Sequence, residues 1–290
     1  MHRHTDGPGS EMLPKSYAAW VGRTVQGEDQ VDLRTARALA ATLDLDPATI
    51  APGSVLPPLW HWVYFTPQAR RSELGPDGHP RRGGFLPPID LPNRMWAGGR
   101  FRFERPLHVG EAVRRDSRLL RCEAKHGRTG ELVFVTVEHT LHGPGGVALV
   151  EEHDIVYREA VRPGGPLAGG PIESTAQFRR PVQPDPVLLF RYSALTFNGH
   201  RIHYDHPYAT EVEGYPGLVF HGPLTATLLM EAFRAEHPGA RVRTFDYRAL
   251  GPLFDTTGFD VCGRLTGDGR AQLWTECDAR VTLRAELSFD

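Results

Sequence analysis

The residues best equipped for chemistry lie between positions 198 and 222. The run Asn198-Gly199-His200-Arg201-Ile202-His203-Tyr204-Asp205 carries two imidazoles, a carboxylate and a side-chain amide. Histidine titrates near neutral pH, so His200 and His203 are candidate general acid/base groups, and Asn198 can orient an imidazole or a water. A metal site is the competing idea, with His200, His203 and Asp205 as ligands. On a strand His203 and Asp205 would share a face while His200 opposed His203. No HExxH or paired-cysteine set accompanies them, so no metal is expected. A structural role stays open as well, with both imidazoles donating to carbonyls of a tight turn.

The second group is His221-Gly222-Pro223. Proline at the start of a helix lacks an N–H that would be orphaned there, and glycine lets a ligand approach the backbone. The first free amides and the positive end of the helix dipole would polarise a carbonyl placed before them, an oxyanion hole made without side chains. An ordinary helix start would look the same. The helix predicted from about Gly222 to Glu236 carries Leu224, Leu228, Leu229, Met230 and Phe233 round most of its circumference. Such a helix is buried.

These groups need a scaffold, and the rest of the chain reads as one. Asp32 is a candidate cap for a helix bearing Ala36, Leu39, Ala40 and Leu43, which Pro47 should end. The segment containing Trp60, Trp62 and Tyr64 alternates like a strand. Residues 66–95 form a long Pro/Gly-rich loop with Arg70, Arg71, Arg81 and Arg82, long enough to suggest function. From Met95 to Tyr157 the pattern is a β meander with Gly turns, one of them at His126–Gly130, and Val133, Val135 and Val137 share a face. Residues 161–185 break every pattern and read as a linker. The second half loosely repeats the first: a strand over Val187–Leu195, a short helical piece near Tyr208–Val212, the buried helix, then strands. Two α+β domains follow, each with a helix across an antiparallel sheet.

Composition excludes several classes. The 290 residues are 40% hydrophobic with a net charge of −2, so a globular protein is expected and nucleic acid is not a bulk partner. No apolar run is long enough to span a membrane, and the first residues lack the apolar core of a secretion signal, so a cytoplasmic protein is expected. Cys122, Cys262 and Cys277 lie far apart and read as buried free thiols. The first 20 residues carry no periodic signal and should fray.

YSALTFNGHRIHYD together with YPGLVFHGPL resembles the MaoC-like hydratase/dehydratase family, and within it the double hot-dog members: type 2 hydroxyacyl-thioester dehydratases and mesaconyl-CoA hydratases. The likeness extends over roughly residues 18–287, more weakly in the first half, where PPLWHWVYF and GGFLPP carry it. It implies an α+β double hot-dog, two antiparallel sheets each wrapped round a central helix. Residues 18–160 would form a non-catalytic half holding the acyl chain, 161–185 a linker, and 186–290 the catalytic half. It implies reversible water addition to an enoyl thioester of coenzyme A or of an acyl carrier, with no cofactor beyond that substrate; a homodimer is the assembly left open.

The family's catalytic histidine falls on His203. Its aspartate, five residues earlier, falls on Asn198, which cannot take a proton, so His203 is expected to do most of the transfer while Asn198 orients water. The asparagine that follows in the family is here His200, a second candidate base. The oxyanion donor falls on the Gly222 amide, with His221 beside it and Asp205 as a further supporting residue. Trp60 and Trp62 are expected to line the acyl pocket and Arg201 to meet the phosphates of the carrier. Arg94 and Arg100 are candidates for holding a dicarboxylic acyl group. A thioesterase would use the same helix start and want a carboxylate near the buried helix, where Glu231 is the candidate. A non-catalytic thioester-binding domain is the third reading.

Overall fold

The computed structural model describes residues 15–127, 130–159, 168–172 and 175–290. Residues 1–14 of the N-terminal stretch expected to fray, the start of the expected linker and the tip of the turn at His126–Gly130 lie outside them; Lys15–Ala18, within the same stretch, form a helical turn instead.

Among the described residues ten strands form one antiparallel sheet: β1 (Thr24–Gln30), β2 (Asn93–Phe103), β3 (Ala112–Gly127), β4 (Gly130–Gly143), β5 (Gly146–Arg158), β6 (Phe178–Val182), β7 (Val242–Ala249), β8 (Phe259–Gly267), β9 (Arg270–Cys277) and β10 (Arg280–Phe289). Their order is β1-β3-β4-β5-β2-β7-β10-β9-β8-β6. The first five strands in this order come from the first half of the chain and the last five from the second, so the two expected sheets are one, fused where β2 pairs β7. Glycine is needed at that seam. A Cβ on Gly98 would lie 2.6 Å from the Tyr247 carbonyl oxygen, and one on Gly99 2.8 Å from the Tyr247 ring.

Among the described residues four helices accompany the sheet: α1 (Lys15–Ala18), α2 (Leu33–Thr42), α3 (Pro186–Leu195) and α4 (Gly222–Glu236). Asp32 caps α2 as expected, its carboxylate accepting from the Thr35 N–H at 2.9 Å, and Ala36, Leu39 and Ala40 are buried. The helix stops at Thr42, before Pro47, because Asp44 turns the chain at φ 59°. Leu224, Leu229, Met230 and Phe233 make α4 the centre of the core, which continues through Phe245, Leu273, Leu283 and Ala285 on the strands around it. Burying such a side chain contributes about 1.5–3 kcal/mol relative to leaving it in water, which holds the start of α4 in place.

Three local expectations fail for physical reasons. Val187–Leu195 is not a strand but helix α3; Asp185 caps it by accepting from the Val187 and Leu188 N–H groups, and Pro186 occupies its first turn. Trp60–Val63 is a 3-10 turn rather than a strand, entered through Leu59 at φ 71°. The expected linker also contributes β6, which pairs β8 at the sheet edge. Among the described residues no helix is long and apolar enough to cross a membrane.

Candidate active site

The segment Asn198–Asp205 leaves α3 and folds into a turn, not a strand, with a 3-10 turn at Arg201–His203. Asn198 Oδ1 accepts from the His200 N–H at 3.1 Å, which closes the bend locally. His203 is buried, and its Nδ1 donates to the Val219 carbonyl at 2.7 Å. That bond fixes the neutral tautomer and leaves the lone pair on Nε2. Burial depresses its pKa to about 4, against the pull of the Val219 carbonyl, so the imidazole is neutral at pH 7.

His221 immediately precedes α4, and its ring stacks on His203 with centroids 3.7 Å apart. Its Nε2 is 2.8 Å from Ser193 Oγ on α3, a contact the sequence did not suggest. Gly222 opens the helix without any side-chain cap, and its N–H has no hydrogen-bond partner among the described residues. His203, His221 and Gly222 border one cavity of about 1320 Å³, together with Asn198 and His200. The imidazole and the helix start expected to work together do meet.

Much of the remaining wall comes from the first half. Trp96 of β2 stacks on His153 at 3.8 Å, donates its indole N–H to the Tyr247 hydroxyl, and would lie 3.5 Å from a Cβ on Gly222. Trp62 borders the cavity and donates to Glu151 at 3.1 Å. Burial alone would raise the Glu151 pKa, but the hydrogen bond from His61 and nearby imidazoles bring it down to about 2. His139, Arg115 and His153 border the same region; burial pushes His139 to about 4 and His153 to about 3. Leu149, Glu151, His153, Ile155 and Tyr157 are all buried on β5. Two polar residues in that inward phase were the sequence signal for this region.

Loop 66–95 brings a further group. Asp77 Oδ2 is 3.1 Å from His79 Nδ1, and the His79 ring packs 4.1 Å from that of His200. Asp77, His79 and His200 also offer three ligand atoms within 4.8 Å of one another. No metal set was expected here; the donor types suit zinc, though Asp77 already engages the His79 nitrogen nearest it.

Several expected contacts lie elsewhere. Trp60 does not border the cavity: it is buried, and its indole N–H goes to Glu231 Oε1 at 2.8 Å. Glu231 also holds Arg234, so the carboxylate a thioesterase would want is engaged away from the cavity. Arg201 pairs with Asp205 at 2.8 Å and lies 4.1 Å over the Tyr208 ring, and neither Arg201 nor Asp205 borders the cavity. Arg100 is spent on Glu152 and Asp154, whereas Arg94 does border the cavity. Of the loop arginines, Arg82 clamps the Ile89, Leu91 and Pro92 carbonyls and Arg70 pairs with Glu73.

The model of the family described as hydroxyacyl-thioester dehydratase type 2 matches residues 59–255. Mesaconyl-C(4)-CoA hydratase of Chloroflexus aurantiacus is 49% identical over 261 residues, covering 89% of this chain and 92% of that protein. The mitochondrial hydroxyacyl-thioester dehydratase type 2 of Schizosaccharomyces pombe is 29% identical over 262 residues, 81% and 83% of the two chains. A solved MaoC-like dehydratase shares the fold at TM-score 0.71 and 17% identity, over 94% of this chain and 99% of its own. The chain belongs to the type 2 hydroxyacyl-thioester dehydratase family and is a double hot-dog hydro-lyase that reversibly hydrates an acyl thioester.

Proposed function

We propose that the substrate is a coenzyme A thioester of a short, polar enoyl acid of the mesaconyl type, bound with its carbonyl oxygen at the Gly222 N–H. The observation that carries this placement is the shared cavity: a neutral, tautomer-fixed His203 stacked on the residue that precedes an uncapped helix start. Water hydrogen-bonded to the His203 lone pair attacks C3. The double-bond electrons move toward the thioester carbonyl, and the Gly222 amide stabilises the resulting enolate oxygen. The proton lost by water is held by an imidazole of the cluster and returned to C2. Dehydration is the same path reversed. Asn198 holds the turn through the His200 N–H and borders the cavity.

The inner wall supports a short polar acyl group over a long alkyl chain. Arg115 Nε and His153 Nε2 are buried without protein partners. Arg115, His139, Glu151 and His153 all border that wall, a polar lining that suits a carboxylate-bearing acyl group better than an alkyl chain. The relative from Chloroflexus carries mesaconyl-CoA in its name and shares nearly half of its residues with this chain.

The test is loss of enoyl absorbance with mesaconyl-C4-CoA, crotonyl-CoA and a long-chain enoyl-CoA. Fastest turnover of the first is expected, and His203→Ala should abolish it while thioester binding persists. Unchanged turnover in His203→Ala would remove the basis of the reading. Preference for the long chain would remove the acyl assignment.

A further inference from the structure

Four imidazoles share this end of the cavity and differ in what each is bonded to. His203 is joined to a neutral carbonyl and His221 to a hydroxyl. The His200 ring has no hydrogen bond among the described residues, only ring contacts with His79 at 4.1 Å and His203 at 5.4 Å. His79 is the one joined to a carboxylate, that of Asp77. A proton on His203 or His221 would create a buried positive charge with no counter-ion beside it, and His200 lies within 4.8 Å of the Asp77 carboxylate without a hydrogen bond to it.

The loop bearing this pair is keyed to the catalytic turn by backbone contacts. The Arg201 N–H donates to the Asp77 carbonyl at 2.9 Å, and the Arg201 guanidinium to the Pro76 carbonyl at 3.1 Å. Gly78 and Gly199 meet backbone to backbone: a Cβ on Gly199 would lie 2.6 Å from the Gly78 carbonyl oxygen. Asp77 accepts from the His79 Nδ1–H, so the lone pair is on His79 Nε2, which has no protein partner among the described residues. Asp77, His79, His200 and His203 all border the cavity.

We propose that His79 is the catalytic imidazole that takes the proton of the attacking water, with Asp77 as the positioning residue that compensates its charge. The inference rests on the hydration reading above and supplies the carboxylate that Asn198 lacks. The water donates one hydrogen bond to His203 Nε2 and the other to His79 Nε2. As its oxygen bonds to C3, one O–H bond breaks and that proton moves to His79. The π electrons of C2=C3 shift to the thioester carbonyl, giving the enolate at the Gly222 amide. The imidazolium then gives its proton to C2 as the enolate collapses, so one water has been added and nothing is oxidised or reduced.

Burial holds the His79 pKa below the ordinary 6.5, opposed by the Asp77 hydrogen bond and charge and aided by Arg94 on β2 and Arg82 on the loop; His200 lies against its face. Removing the carboxylate must therefore make His79 a weaker base.

The experiment compares wild type, His79→Gln and Asp77→Asn with mesaconyl-C4-CoA across pH, thermal unfolding reporting that each folds. His79→Gln should lower kcat at least 100-fold with KM changed less than threefold. Asp77→Asn should lower kcat and shift the acid limb of the kcat profile to lower pH, a shift that mere loop support would not produce. Retained kcat in His79→Gln, or an unmoved acid limb in Asp77→Asn, overturns the inference while leaving the hydration reading intact. So does hydration that is lost on chelation and restored by zinc, which would make these residues ligands. A wild type that hydrates none of the thioesters overturns both.

Discussion

Gly78→Ala is the perturbation that isolates the docking of the 75–80 loop on the turn at 198–205. Gly78 has φ +89°, and a Cβ there would overlap the Gly199 carbonyl oxygen and lie 2.7 Å from its carbonyl carbon. Both atoms are backbone, so no side chain can swing aside. Reaching ordinary contact, at 3.4 Å or more, requires the loop and the turn to part by about 1.6 Å, and a displacement of about 1 Å can already cost a catalytic site about 100-fold in rate. The left-handed backbone adds a strain of about 1–2 kcal/mol for any L side chain. Gly22 provides the control. Its φ is +88° and nothing lies within 4 Å of a Cβ built on it, so Gly22→Ala carries the same strain without the clash. Gly22→Ala should lose about 1–2 kcal/mol of stability in urea unfolding and Gly78→Ala more, while Gly78→Ala alone should lose about 100-fold in kcat for enoyl-thioester hydration. Equal kcat in the two variants would refute the claim that this backbone contact sets the site geometry.

Two further outcomes follow from the buried groups. Trp60→Phe removes the hydrogen bond to Glu231 and leaves a gap beside α4, so unfolding free energy should fall by about 2–4 kcal/mol while kcat stays within twofold; a matching fall in kcat would contradict its placement outside the cavity. Stability should also fall with acid. His203 and His139 have folded pKa values of about 4, below the ordinary 6.5. The unfolded chain therefore binds their protons first, so their contribution is complete above pH 6.5 and is lost as pH drops toward 4. From pH 7 to pH 5 each should contribute a loss of about 2 kcal/mol, and a urea midpoint independent of pH over that range would show that these imidazoles are not buried and neutral.

Where a single segment contained its own signal, the sequence was readable. The circumference of α4 is apolar because the helix is central, and Asp32 followed by Ala36, Leu39 and Ala40 states both a cap and a face. The inward valines of β4 alternate because that strand is half covered. Signals failed where local chemistry outweighed pattern. Val187–Phe190 is an unbroken apolar run that reads as a strand, yet Asp185-Pro186 is a cap followed by a first-turn proline. Trp60 and Trp62 alternate, but Leu59 in the left-handed region curls them into a turn. Edge strands β1 and β6 are largely exposed and carry no inward apolar phase to detect. His203 and Gly222 could be paired because their motif sits in one stretch. Asp77 and His79 could not, because their partner His200 lies far along the chain and the pairing exists only after the halves join.

That joining explains why one half can carry the motif and still need the other. Trp96, the indole lying against Gly222, belongs to β2, and its N–H is held by Tyr247 of β7. The β2–β7 seam fixes both, with Gly99 opposite Tyr247 and Phe101 opposite Phe245. A shift of one residue in this register would turn the side chains of β2 to the opposite face of the sheet, taking Trp96 away from the helix start and the floor away from His153. Two separate sheets facing each other across a flexible linker could slide by that amount at little cost. A continuous sheet with glycines packed against the Tyr247 backbone and ring cannot, so the fused sheet itself sets the distance between the helix start in the second half and the polar wall in the first.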